Sequence, residues 1–128
     1  MLGGMDADQA IADLTEISPQ VKEVVIVGPD GALGGTNVAV ERAEAIADAA
    51  KRLLAAAGDG VAQLEAATAR GSVFVVREGD RLVAATTTPE PTVGLVFYDL
   101  KTCLRSIDEP QPKPRRTRRK PEDGNAAA

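Results

Sequence analysis

Two side-chain types that carry much of enzyme chemistry are almost missing from this chain. It has no histidine and a single cysteine, Cys103. Histidine is the commonest general base near neutral pH and the commonest transition-metal ligand. Without it, one thiol leaves a zinc site short of ligands, and no serine has an imidazole to activate it. A Gly-x-Ser-x-Gly elbow is lacking as well. Asp99 and Asp108 lie nine residues apart with no convincing carboxylate partner, so they read as lone acids on a solvated face. Cys103 falls on the apolar side of a helical pattern and reads as a small hydrophobe. Thr86-Thr87-Thr88 offers hydroxyls to a ligand, but a threonine-rich strand end needs no ligand to explain it. Glycines 28, 31, 34 and 35 sit in "GPDGALGG" without the Gly-Lys-Ser/Thr ending of a phosphate loop, and read as a hairpin turn. No metal, no cofactor and no enzymatic activity of its own is expected.

Charge is divided along the chain. Residues 1–109 carry nine Lys/Arg against seventeen Asp/Glu, a net of −8, and residues 110–128 carry six against two, a net of +4. The basic cluster is Lys113, Arg115, Arg116, Arg118, Arg119 and Lys120. It has the charge to bind phosphates or an anionic lipid surface. No aromatic is interleaved to stack on bases, and membrane anchoring usually takes a second signal. Nucleic acid, membrane, or neither (a solubilising tail, or one folded back on the acidic domain) therefore stay open.

The elements that would position any site follow from periodicity. "DADQAIADLTEI" places Ala10, Ile11, Leu14 and Ile17 at helical spacing, ended by Ser18-Pro19. Val21–Val27 and Ala32–Thr36 flank the Pro29-Asp30-Gly31 turn. Val40–Ala57 is a helix stopped by Gly58. Its charged residues Glu41, Glu44, Asp48, Lys51 and Arg52 form one stripe, leaving more apolar surface than one face needs. Two explanations stand: alanine tolerates exposure, or one side packs on a sheet while another meets a second helix. The second is preferred here. Val61–Ala69 reads as a third strand. Ser72–Arg77 and Arg81–Thr87 form a hairpin through Glu78-Gly79-Asp80, apolar on both faces, so covered on both faces. Val93 to Ile107 has helical spacing through Val96, Leu100, Cys103 and Leu104. From Pro110 onward four prolines and almost no large apolar residue predict disorder.

The predicted fold is an α/β (α+β) sandwich in the order α-β-β-α-β-β-β-α. Its five-stranded, mostly antiparallel sheet has one central helix on one face and two terminal helices on the other. The predicted organisation is a flexible N-terminus at 1–5, one domain at 6–109 and a basic tail at 110–128. One cysteine, no signal-like start and no long apolar run point to the cytoplasm.

With that order in hand, "VVIVGPDGALGGT", the Ala-rich helix and "GSVFVVREGDRLVAATTTPEPTVGLVFYDLKTCLRSI" resemble the roadblock/dynein light chain domain. The likeness spans about residues 6 to 107 and is nearest the bacterial branch described as regulators of Ras-like GTPases. It implies a non-catalytic homodimer scaffold in which central helices pair and third strands join two sheets. Carried onto this chain, the dimer surface comprises Ala43, Ala47, Ala50 and Leu54 of the helix and Gln63, Leu64, Glu65 and Ala66 of the strand. The implied partner is a small Ras-like GTPase whose own residues do the chemistry. The rival readings are an anion-binding protein acting through the tail, and a small-molecule sensor with a cavity left by Ala84, Ala85 and Gly94.

Overall fold

Asp6 opens the first element. Its Oδ1 accepts the Gln9 N–H at 2.8 Å, satisfying a helix donor that has no partner within the helix. Helix α1 (Ala7–Ile17) runs to Ser18, where Pro19 keeps the preceding residue out of the helical region. The computed structural model describes residues 6–107. The expected N-terminus at 1–5 and basic tail at 110–128 lie outside those residues, as do Asp108 and Glu109.

Strands β1 (Val21–Val27) and β2 (Leu33–Thr36) form a hairpin. Its turn holds Gly31 at φ +83°, and Asp30 Oδ1 accepts the Ala32 N–H at 3.1 Å, so the glycine-rich stretch is a turn. Then come α2 (Val40–Ala57), β3 (Gln63–Thr68), β4 (Gly71–Glu78), β5 (Arg81–Thr87) and α3 (Val93–Ser106). The sheet order is β2-β1-β5-β4-β3, and every neighbouring pair is antiparallel. The third strand is shorter than its 61–69 expectation because the chain turns at both ends. Gly60 lies at φ +85°, and Thr68 Oγ1 accepts the Arg70 N–H at 3.2 Å.

The β4–β5 hairpin occupies the inner sheet, and its side chains alternate between two cores. Phe74, Val76, Val83 and Ala85 join Val24 and Ile26 beneath α1 and α3. Val75, Leu82 and Ala84 join Val25 and Val27 beneath α2. The ring of Phe97 on α3 meets Phe74 edge to face, with centroids 4.9 Å apart. Among the described residues, helices therefore stand on both faces of the sheet, one on one side and two on the other.

Two glycines mark close approach. Gly35 lets α1 settle over β2, since a Cβ there would lie 2.8 Å from the Ala7 Cβ. Gly71 begins β4 at φ +145°, and a Cβ would run into the Thr87 carbonyl oxygen of β5. Gly71→Ala combines backbone strain with that clash. It should lower stability by about 2 kcal/mol, read as an earlier midpoint in urea denaturation, whereas Gly94→Ala on exposed α3 surface should not.

Candidate functional site

The small side chains of α2 lie on two sides of the helix. Ala43, Ala47, Ala50 and Leu54, expected at a dimer surface, are instead buried in the chain itself. They repeat at intervals of four, three and four residues, so they share one stripe with Ile46, and that stripe lies on the sheet. Their small size allows the helix to come close. The outward stripe is Glu41, Glu44, Ala45, Asp48, Ala49, Arg52 and Ala56, all exposed. The charged stripe read from the sequence is thus on the surface, but the alanines accompanying it are Ala45, Ala49 and Ala56.

Helix α2 packs on β1, β2 and β5, to one side of the sheet face it covers. Beyond it lie β4 and the edge strand β3. There Leu53, Val61, Leu64 and Val73 are only half buried, packed against the rim of the α2-side core. Strand β3 alternates accordingly. Leu64 and Ala66 stand opposite Val75 and Val73 on the α2 side, both half buried. Gln63 and Glu65 are exposed on the other face, where Glu65 accepts a hydrogen bond from Ser72 Oγ at 2.8 Å. A strand's outer edge carries unpaired N–H and C=O groups and is a template for another strand. Here that edge adjoins an apolar strip. Of the eight expected contact residues, the fold brings Leu64 and Ala66 to this strip and Gln63 and Glu65 to the opposite face of the same edge strand. Leu53, Val61 and Val73 were missed. Val73 carried a signal, since it shares its strand face with Val75.

Polar groups of the sheet are committed to structure. Arg42 on α2 forks onto Glu23 of β1, with Nε and Nη2 each 2.9 Å from a carboxylate oxygen. Thr86 Oγ1 donates to Glu23 Oε1 at 2.9 Å. The Arg42 hydrogen bond is the main cause holding the Glu23 carboxyl below the usual carboxylate range, with Thr86 assisting against the effect of burial. Thr87 Oγ1 donates to the Thr88 carbonyl at 2.9 Å and accepts the Ser72 N–H at 3.3 Å, so these hydroxyls serve the fold. An open hollow of about 510 Å³ beside them is lined by Lys22, Arg70 and Ser72 among others, and holds no nucleophile with a base.

Cys103 is buried, and burial first, then the nearby Asp13 charge, pushes its thiol up to about 11. It stays protonated near neutrality and is a poor nucleophile. Among the described residues no three His, Cys, Asp or Glu side chains are grouped to hold a metal ion. No described helix is long and apolar enough to cross a membrane. The sensor reading loses its cavity: Ala84 and Ala85 are fully buried in opposite cores, and Gly94 is exposed, so they do not line one space. The six tail cations, Lys113 to Lys120, lie outside the described residues.

The architecture has counterparts among solved structures. A roadblock/LC7 domain from Streptomyces avermitilis superposes with a TM-score of 0.70 at 20% identity, covering 79% of this chain and 93% of that one. The gliding protein mglB from Thermus thermophilus gives 0.60 at 12% identity, covering 79% and 84%. MglB from Myxococcus xanthus gives 0.56 at 15% identity, covering 78% and 83%. No protein-family model matches the sequence, and no curated protein matches it. This chain has the roadblock/LC7 fold: three helices and a five-stranded antiparallel sheet.

The Glu23–Arg42 fork has a defined pH signature. Because the folded carboxyl is lowered, its contribution is present above the unfolded value near ~4.3 and is lost as pH falls through the folded value. Glu23→Gln should cost about 1 kcal/mol at neutral pH. The gap from the parent should narrow progressively as pH is lowered below the unfolded carboxylate value, as followed by urea denaturation at each pH.

Proposed function

We propose that the chain is a non-catalytic homodimeric scaffold that binds a small Ras-like GTPase in the cytoplasm and modulates its nucleotide cycle. The observation carrying this reading is the strip at the β3 edge. Leu53, Leu64, Ala66 and Val73 are left half covered on the α2 side, while the same strand is polar on its other face. A monomer gains nothing from that arrangement. A second copy adding its own β3 would extend the sheet, and its α2 would cover the strip. Interfaces of this obligate kind are built on apolar contacts. The outward alanines Ala45, Ala49 and Ala56 would let paired helices approach closely, flanked by Glu41, Asp48 and Arg52.

The absence of histidine and the protonated, buried Cys103 suit a protein that arranges a partner's catalytic groups and supplies none. The likeness to MglB, a gliding protein in Thermus thermophilus, supports a regulatory setting at the level of fold.

Capture with the full chain, in GDP and in a non-hydrolysable GTP analogue, tests the partner. Mass spectrometry should identify a small GTPase held in one nucleotide state. Leu64→Asp places a charge in the strip and should halve the mass measured by light scattering with helix content retained, and should abolish GTPase capture. A Leu64→Asp protein that remains dimeric removes the β3 edge from the interface. A dimer that captures no GTPase in either state overturns the partner assignment.

A further inference from the structure

A second surface lies on the opposite side of the sheet from the β3 strip. Helices α1 and α3 pack together there, and a hollow of about 360 Å³ runs between them. Leu14 and Cys103 contribute to its lining, with Asp13, Glu16 and Ile17 from α1 and Asp99 and Ser106 from α3. Three carboxylates face this groove, and among the described residues no Lys or Arg lines it. The imbalance begins in the sequence, since no basic residue precedes Lys22. On α3, Arg105 is occupied elsewhere, forked onto Glu78 at 3.2 and 2.9 Å.

Asp99 gives the groove a demand of its own. It is 7% exposed, lines the cavity, and has no hydrogen bond or ion pair among the described residues. Its carboxylate opens onto the groove, where a cation or hydrogen-bond donors would complete it. Ile17 at the rim is the reverse case, an apolar side chain 62% exposed. A ligand satisfying both would combine positive charge with an apolar stem, as arginine and lysine do.

We infer that this groove binds the chain's own basic segment, Lys113–Lys120, within the same protomer. The chain reaches Ile107 one residue after Ser106, which lines the groove. Lys113 follows six residues later, a span of up to about 20 Å. Asp99 lies seven residues back along α3 from Ser106, about 10 Å of helix. Arginines 115 and 116 thus have the length to return to Asp99, Asp13 and Glu16. The segment brings six cations to a groove whose described lining has none. A tether this short holds them at millimolar effective concentration, so individually weak ion pairs suffice. The same acids repel nucleic acid, and the docked tail is withheld from phosphates.

Nuclear magnetic resonance on the isotope-labelled full chain tests this. Compared with a full-length variant carrying Arg115→Gln, Arg116→Gln, Arg118→Gln and Arg119→Gln, amide shifts should change at Glu16, Ile17, Asp99 and Ser106. Those of β3 and the outward face of α2 should stay. Added salt should reproduce the same changes, and dilution should leave them. Asp99→Asn, or Glu16→Gln where the first does not fold, should mimic the tail variant. Absence of changes at the groove, or changes confined to α2 and β3, overturns the inference. Loss on dilution assigns the segment to a second copy and overturns the intramolecular assignment.

Discussion

A strand pair apolar on both faces must be covered twice, and the rest of this structure is arranged around that constraint. The β4–β5 hairpin places Phe74, Val76, Val83 and Ala85 on one side and Val75, Leu82 and Ala84 on the other. Burying each large side chain among these is worth about 2 kcal/mol, several times an exposed ion pair. The hairpin therefore needs helices above and below it, and the Glu23–Arg42 and Glu78–Arg105 forks only align what burial has already placed.

Coverage of the two faces is unequal. Helices α1 and α3 lie over four strands on one side, β1 and β2 under the first and β4 and β5 under the second. On the other side α2 alone lies on β1, β2 and β5. The uncovered remainder is β3 with the adjoining part of β4, and there the strand turns Leu64 and Ala66 upward and the polar Gln63 and Glu65 downward. The two surfaces proposed for binding differ in character for the same reason. One is an apolar strip left by a missing second helix, and the other is an acidic seam between two helices that both had to pack inward.

Much of this was legible beforehand. The boundaries of β1 and α2 follow from β-branched runs, helical spacing and Gly58, and the two-faced hairpin announced helices on both sides. The resemblance to the roadblock/dynein light chain domain predicted the architecture that the roadblock/LC7 structures share. The site was less legible. Ala43, Ala47 and Ala50 were expected outward and lie inward, because alanine is neither polar enough to demand water nor large enough to demand burial. The α1–α3 groove was not anticipated at all. Its acids are spread from Asp13 to Asp99, and spacing along the chain says nothing about two helices meeting across a sheet.

The sequence by itself determined the element order, the two-sided burial of the hairpin, the split between an acidic stretch and a basic one, and the absence of histidine. Those follow from residue type and local period. Tertiary packing alone decided which stripe of α2 faces the sheet, which strands stand at its edges, and which carboxylates of α1 and α3 meet across one groove. Helical periodicity fixes which residues share a stripe, but the direction that stripe faces depends on the neighbouring strands, and strand order is a long-range property.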